Sequence, residues 1–117
     1  MKIREIRELL GTELLCGWDH LDEEVGNAFC CDMMSDVLAF AKDQSLLMTG
    51  LINPQVIRTA NMMDMPCVLF VRGKKPSDEM IKLAEECGIV LMQSEKRAYE
   101  LSGILYINGL RGGSDDD

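Results

Sequence analysis

Three times in its second half the chain repeats one unit: a short apolar run, a turn, and a helix start. Ser45–Thr49 leads into Gly50 and Asn53-Pro54, Pro66–Arg72 leads into Gly73 and Pro76-Ser77, and Ile89–Met92 leads into Ser94. Strands that alternate with helices through short connections build a sheet of parallel pairs with helices laid against it. The predicted fold is therefore α/β: a three-layer α/β/α arrangement around a mainly parallel sheet of four to five strands with a mixed edge.

The first half supplies the remaining elements. Ile3, Ile6, Leu9 and Leu10 recur at helical spacing and end at Gly11, which predicts a first helix. Thr12–Cys16 and Val25–Cys31 read as strands, with Gly17–Glu24 between them as an acidic surface loop. Ser35 is placed to cap a helix running to about Lys42, with Asp36 in the first turn. Further on, Asn53 followed by Pro54 opens a helix that turns Val56, Ile57, Ala60 and Met63 inward. Ser77-Asp78-Glu79 opens another, with Met80, Ile81, Ala84 and Cys87 on its inner face and Gly88 closing it. Glu95–Tyr106 is the last helix, with Ala98, Leu101 and Leu105 inward. Residues 1–109 are expected to form one domain, and 110–117 a disordered acidic tail.

Composition excludes several functions. A net charge of −8 repels phosphate backbones over most of the surface, so nucleic acid is not an expected partner. Glu, Lys, Asp or Gly interrupts every apolar run, so no membrane span is expected, and the charged start Met1–Glu5 lacks a signal segment. The expected location is cytoplasmic. Five cysteines make an odd set without a CxxC pair, and there is one histidine. That spacing favours free thiols packed as small apolar groups over disulfides or a metal site, and no cofactor is implied.

The candidate site follows from the fold. In open α/β sheets ligands bind beyond the carboxyl ends of the strands, where helix N-termini point their free N–H groups. The turns that qualify carry Gly50 and Asn53, then Arg72, Gly73, Lys74 and Lys75, then Ser94. The middle turn is a basic cluster in an acidic molecule, and a nucleotide phosphate or other small anion is the expected ligand there. The plainer alternative is a solvated turn of the kind found throughout this fold class. Asp32, Ser35 and Asp36 form a second polar group, read mainly as a helix cap because no base accompanies the serine. His20 lies among Asp19, Asp22, Glu23 and Glu24 and reads as a surface residue. No catalytic residue is expected.

Nine methionines are many for 117 residues. Met62, Met63 and Met65 fall so close together that they cannot all face one core, which predicts a methionine-lined surface for a homodimer or a protein partner.

From Asn27 to Gly109 the chain resembles the DRTGG-domain family. The resemblance is carried by Cys31-Asp32-Met33-Met34-Ser35-Asp36, by Ala41–Gly50, by Pro66–Gly73 with Pro76, and by Tyr99–Gly103 with Tyr106. The family is similar to the N-terminal domain of HPr kinase/phosphorylase and to a central domain of some phosphotransacetylases. The resemblance implies a regulatory, non-catalytic module, because the kinase chemistry belongs to a different domain. The positions matching the family's Asp-Arg pair are Leu51 and Ile52, and those matching its Thr-Gly-Gly are Val71, Arg72 and Gly73, so only Gly73 is retained. Stand-alone relatives are often encoded beside iron-only hydrogenases, which implies a subunit of a redox complex as an alternative role.

Overall fold

In the computed structural model, which describes residues 1–113, four strands run parallel: β2 (Asn27–Cys30), β3 (Ser45–Thr49), β4 (Cys67–Phe70) and β5 (Val90–Gln93). β1 (Glu13–Cys16) closes the other edge antiparallel to β5, in the order β1-β5-β4-β3-β2. Every residue of β3, β4 and β5 is buried, as apolar runs covered on both faces require.

The connections fix the layers. Because β2 to β5 are neighbours in chain order, the crossover helices α2 (Met34–Phe40), α3 (Pro54–Met62) and α4 (Asp78–Cys87) all fall on one face. Helices α1 (Ile3–Leu10) and α5 (Ala98–Ile107) cover the other. Strand side chains alternate accordingly: Met48, Leu69 and Met92 meet α1 and α5, whereas Leu47, Phe70 and Leu91 meet the crossover helices. β1 breaks this rule. Its register slips between Leu14 and Cys16, so those two residues enter opposite cores although they lie two apart.

Two predicted helix starts stand as read: Asn53 Oδ1 accepts from Gln55 N at 2.8 Å and Ser77 Oγ from Met80 N at 3.2 Å. Two do not. Ser35 lies inside α2, whose N-cap is Met33. Cys31 Sγ accepts the Met33 N–H at 3.3 Å, so the chain turns into the helix before reaching the serine. Ser94 does not cap α5 either. Its N–H continues the sheet by donating to Phe70 O at 2.9 Å, its hydroxyl accepts from Lys96 N at 3.1 Å, and the helix begins only at Ala98 with Arg97 as N-cap.

The tail boundary also moves. Leu110 is buried, and Arg111 O accepts from Ala28 N at 2.9 Å on the outer edge of β2, while the Arg111 guanidinium sits 4.0 Å from the Tyr106 ring centroid. An edge strand has spare backbone groups, and this returning segment covers one of them. The domain thus runs past residue 109, and 114–117 lie outside the described residues. The methionine cluster separates as well: Met62 is 67% exposed, Met63 is partly buried against the crossover-helix core, and Met65 is buried within it at 1%. Met65 is therefore a core residue and no part of a surface, because α3 ends at Met62 and the chain turns in toward β4. Among the described residues no helix is long and apolar enough to cross a membrane.

Candidate functional site

The carboxyl ends of the four parallel strands form one rim. Gly73 N donates to Ser94 O at 2.8 Å and Arg72 N to Lys96 O at 2.9 Å, which ties the turn after β4 to the turn after β5. The Arg72 guanidinium lies against Gly50, filling the space a side chain there would need. Gly50, Arg72, Gly73 and Ser94 are thus brought together. Asn53 is spent on its own helix cap, and Lys74 and Lys75 point to solvent away from the rim cavity.

Five of the turn amides expected to be free at this rim already have partners. Gly50 N donates to Asp32 Oδ1 at 2.8 Å, Leu51 N to Thr49 Oγ1 at 3.2 Å, and Lys74 N to Val71 O at 3.2 Å, besides the Arg72 and Gly73 bonds. An N–H already bonded within the protein is not free for an anion, so the side chains around the rim carry more of the site than those five amides.

A cavity of about 440 Å³ opens between the ends of β2 and β4 and the start of α5. Arg72 comes from the β4 turn and Arg97 from the N-cap of α5, so two arginines line it. Arg97 makes no capping hydrogen bond with its side chain, which leaves the positive end of α5 without a side-chain acceptor. Tyr99, 90% exposed, stands in the cavity wall, and Val71 and Ala98 supply apolar surface. Arg72 takes a left-handed backbone at φ 59, a conformation held by its bond to Lys96 O.

Among the described residues Asp32 is the one carboxylate on this wall. Its Oδ1 accepts from both Thr49 Oγ1 at 2.9 Å and Gly50 N, while its Oδ2 has only Arg72 Nη2, at 3.9 Å. The Gly50 N–H holds its pKa below the ordinary carboxylate value; partial burial opposes this, and the Thr49 hydroxyl and the Arg72 charge reinforce it. The residue is ionised at neutral pH. Ser35 and Asp36, grouped with it in sequence, sit on α2 instead. Arg97 carried no motif that marks it, and Tyr99 entered only through the family resemblance, not as a site residue; the signal available was an arginine two residues before an aromatic near a helix start.

Two thiols, Cys30 and Cys31, also line the cavity. Desolvation by neighbouring atoms raises the Cys30 pKa although the residue reaches the surface, with Asp32 and Cys31 adding to it, and burial raises those of Cys16 and Cys67. Cys16 and Cys67 are buried, whereas Cys30 is exposed. Iodoacetamide at mildly alkaline pH should therefore label Cys30 in the folded protein and reach Cys16 and Cys67 only after denaturation. Peptide mapping by mass spectrometry checks this, and early labelling of Cys67 would contradict the packing of β4. The single histidine is remote: His20 lies beside Gly88, at the opposite end of the sheet, with Nδ1 3.3 Å from Glu23 Oε2.

The comparisons with known proteins agree with this architecture. A family model described as the DRTGG domain matches residues 5–106. The chain is similar in structure to the CBS and DRTGG domains of the regulatory region of Clostridium perfringens pyrophosphatase, crystallised with its activator diadenosine tetraphosphate. The TM-score is 0.68 at 13% identity, over 89% of this chain and 45% of the other, so this chain spans under half of that protein's crystallised region. No curated protein sequence matches.

Proposed function

The chain belongs to the DRTGG-domain family, and from that premise we propose that it is a regulatory module which senses a nucleotide in the cavity at the strand ends. The observation that carries this reading is the meeting of Arg72 and Arg97 with the exposed ring of Tyr99 around one cavity. Guanidiniums bind phosphate oxygens in forked pairs, and an aromatic face beside them suits a base. A volume of about 440 Å³ falls within the range of small-molecule sites. The pyrophosphatase region of similar fold was crystallised with a dinucleotide activator, which supports a nucleotide as the first ligand class to test.

The reading is non-catalytic. A carboxylate held below the ordinary range is a poor base at neutral pH, and among the described residues the cavity wall carries no histidine or lysine to replace it.

The test is a thermal-shift titration with ATP, diadenosine tetraphosphate and inorganic pyrophosphate, followed by calorimetry. A ligand that binds only the folded state raises the melting temperature. Arg72→Ala and Arg97→Ala should each weaken nucleotide binding by about ten-fold or more, the effect of a lost charge-assisted hydrogen bond. Lys74→Ala with Lys75→Ala should change it by less than about two-fold, since exposed charges outside the cavity are screened. Flat melting curves across all three probes, or full binding by Arg72→Ala, would remove the proposal.

A further inference from the structure

Asp32 is an anomaly in a cavity built for anions: an ionised carboxylate standing within 3.9 Å of the arginine that would hold a phosphate. Its two oxygens are not equivalent. Oδ1 accepts from the Thr49 hydroxyl and the Gly50 N–H, which together use both of its lone pairs. Those bonds fix the carboxylate in place. Among the described residues Oδ2 has no donor at hydrogen-bond distance, because the 3.9 Å approach of Arg72 is an ion pair without a hydrogen bond. One fixed, charged, single-atom acceptor therefore faces the cavity.

A phosphate oxygen is repelled from such an acceptor. A guanine edge, which presents two parallel N–H donors, needs both carboxylate oxygens, and one is already filled. A hydroxyl donor needs only one. Building on the nucleotide reading above, we propose that Asp32 accepts a ribose hydroxyl of the ligand and makes the site selective for ribonucleotides over dideoxy analogues and bare pyrophosphate. Arg72 and Arg97 then take the phosphates, and Asp32 keeps the phosphate chain out of its corner so that the sugar lies there.

The experiment compares ATP, its dideoxy analogue lacking both ribose hydroxyls, and pyrophosphate by calorimetry on the full chain, wild type and Asp32→Asn. Asparagine keeps an oxygen for Thr49 and Gly50, so the rim should stay folded, and an unchanged melting temperature checks that. Wild type should bind ATP about ten-fold more tightly than the dideoxy analogue, as a hydroxyl bonded to a charged acceptor predicts. In Asp32→Asn that ratio should fall below about two-fold while pyrophosphate binds several-fold more tightly, because the repelling charge is gone. Loss of the preference for ATP over its dideoxy analogue together with tighter pyrophosphate binding is a pattern that a merely damaged site would not produce. Equal binding of ATP and its dideoxy analogue by wild type, or parallel loss of all ligands in Asp32→Asn, overturns the assignment and leaves the nucleotide reading standing. Absence of binding by every probe overturns both.

Discussion

Phe70→Ala is expected to lower the free energy of unfolding by about 3–5 kcal/mol, the range for emptying a fully buried aromatic position. Phe70 ends the central strand β4 and is 0% exposed, packed on the face covered by the crossover helices. Its neighbours are held by three-layer packing and cannot collapse far into the space it leaves. Domains of this size have about 5–15 kcal/mol of stability in total, so the variant should melt more than about 10 °C lower yet still fold. Urea unfolding monitored by circular dichroism gives the value. A loss under about 1 kcal/mol would mean that the core between β4 and the crossover helices is not packed as described.

Gly17→Ala should cost about 2–4 kcal/mol, although it adds a single methyl group. Gly17 leaves β1 with φ 95, a conformation that L-residues rarely adopt, and its backbone lies on β5. A Cβ there would stand 2.7 Å from Val90 Cγ2 and 2.8 Å from Val90 Cα. The side chain could rotate away, but the Cα belongs to a strand paired on both sides, with β1 and β4, and has nowhere to go. Gly103→Ala is the control. It lies within α5 with nothing inside 4 Å of its added Cβ, so the same change should stabilise by about 0.4–1 kcal/mol. Opposite signs for the two variants are the expected result, and equal effects would contradict the close approach of Gly17 to β5.

The gain at Gly103 was foreseeable from its place in the predicted last helix, whereas the clash at Gly17 was not legible before the fold was known, and the site shows the same division. That the turns bearing Gly50, Arg72, Gly73 and Ser94 share one rim follows from topology, since parallel strands end on the same side. Which of their groups stay free does not. The amides of Gly50, Arg72 and Gly73 were expected to receive a ligand and instead bond to Asp32, Lys96 and Ser94. Arg97, and Tyr99 in a site role, were not foreseen because an arginine and a tyrosine at a helix start make no binding pattern until that start is placed beside the end of β2.

The sequence by itself determined what depends on near neighbours in the chain. Asn53 and Ser77 cap their helices within three residues, Gly11 and Gly88 end theirs, and buried four- or five-residue apolar runs can be little else than central strands. Tertiary structure alone decided most of the rest. Ser94 satisfied the local rules for a cap and lost that role because Phe70, distant in sequence, fixed its backbone in the sheet, whereas Ser35 lost its own to a near neighbour, the Cys31 thiol that accepts the Met33 N–H. The bulge in β1, the return of residues 110–112 along β2 and the carboxylate facing Arg72 likewise exist only through partners far along the chain. Local rules read capping energies of about 1 kcal/mol, and a buried sheet with its paired backbone outweighs them.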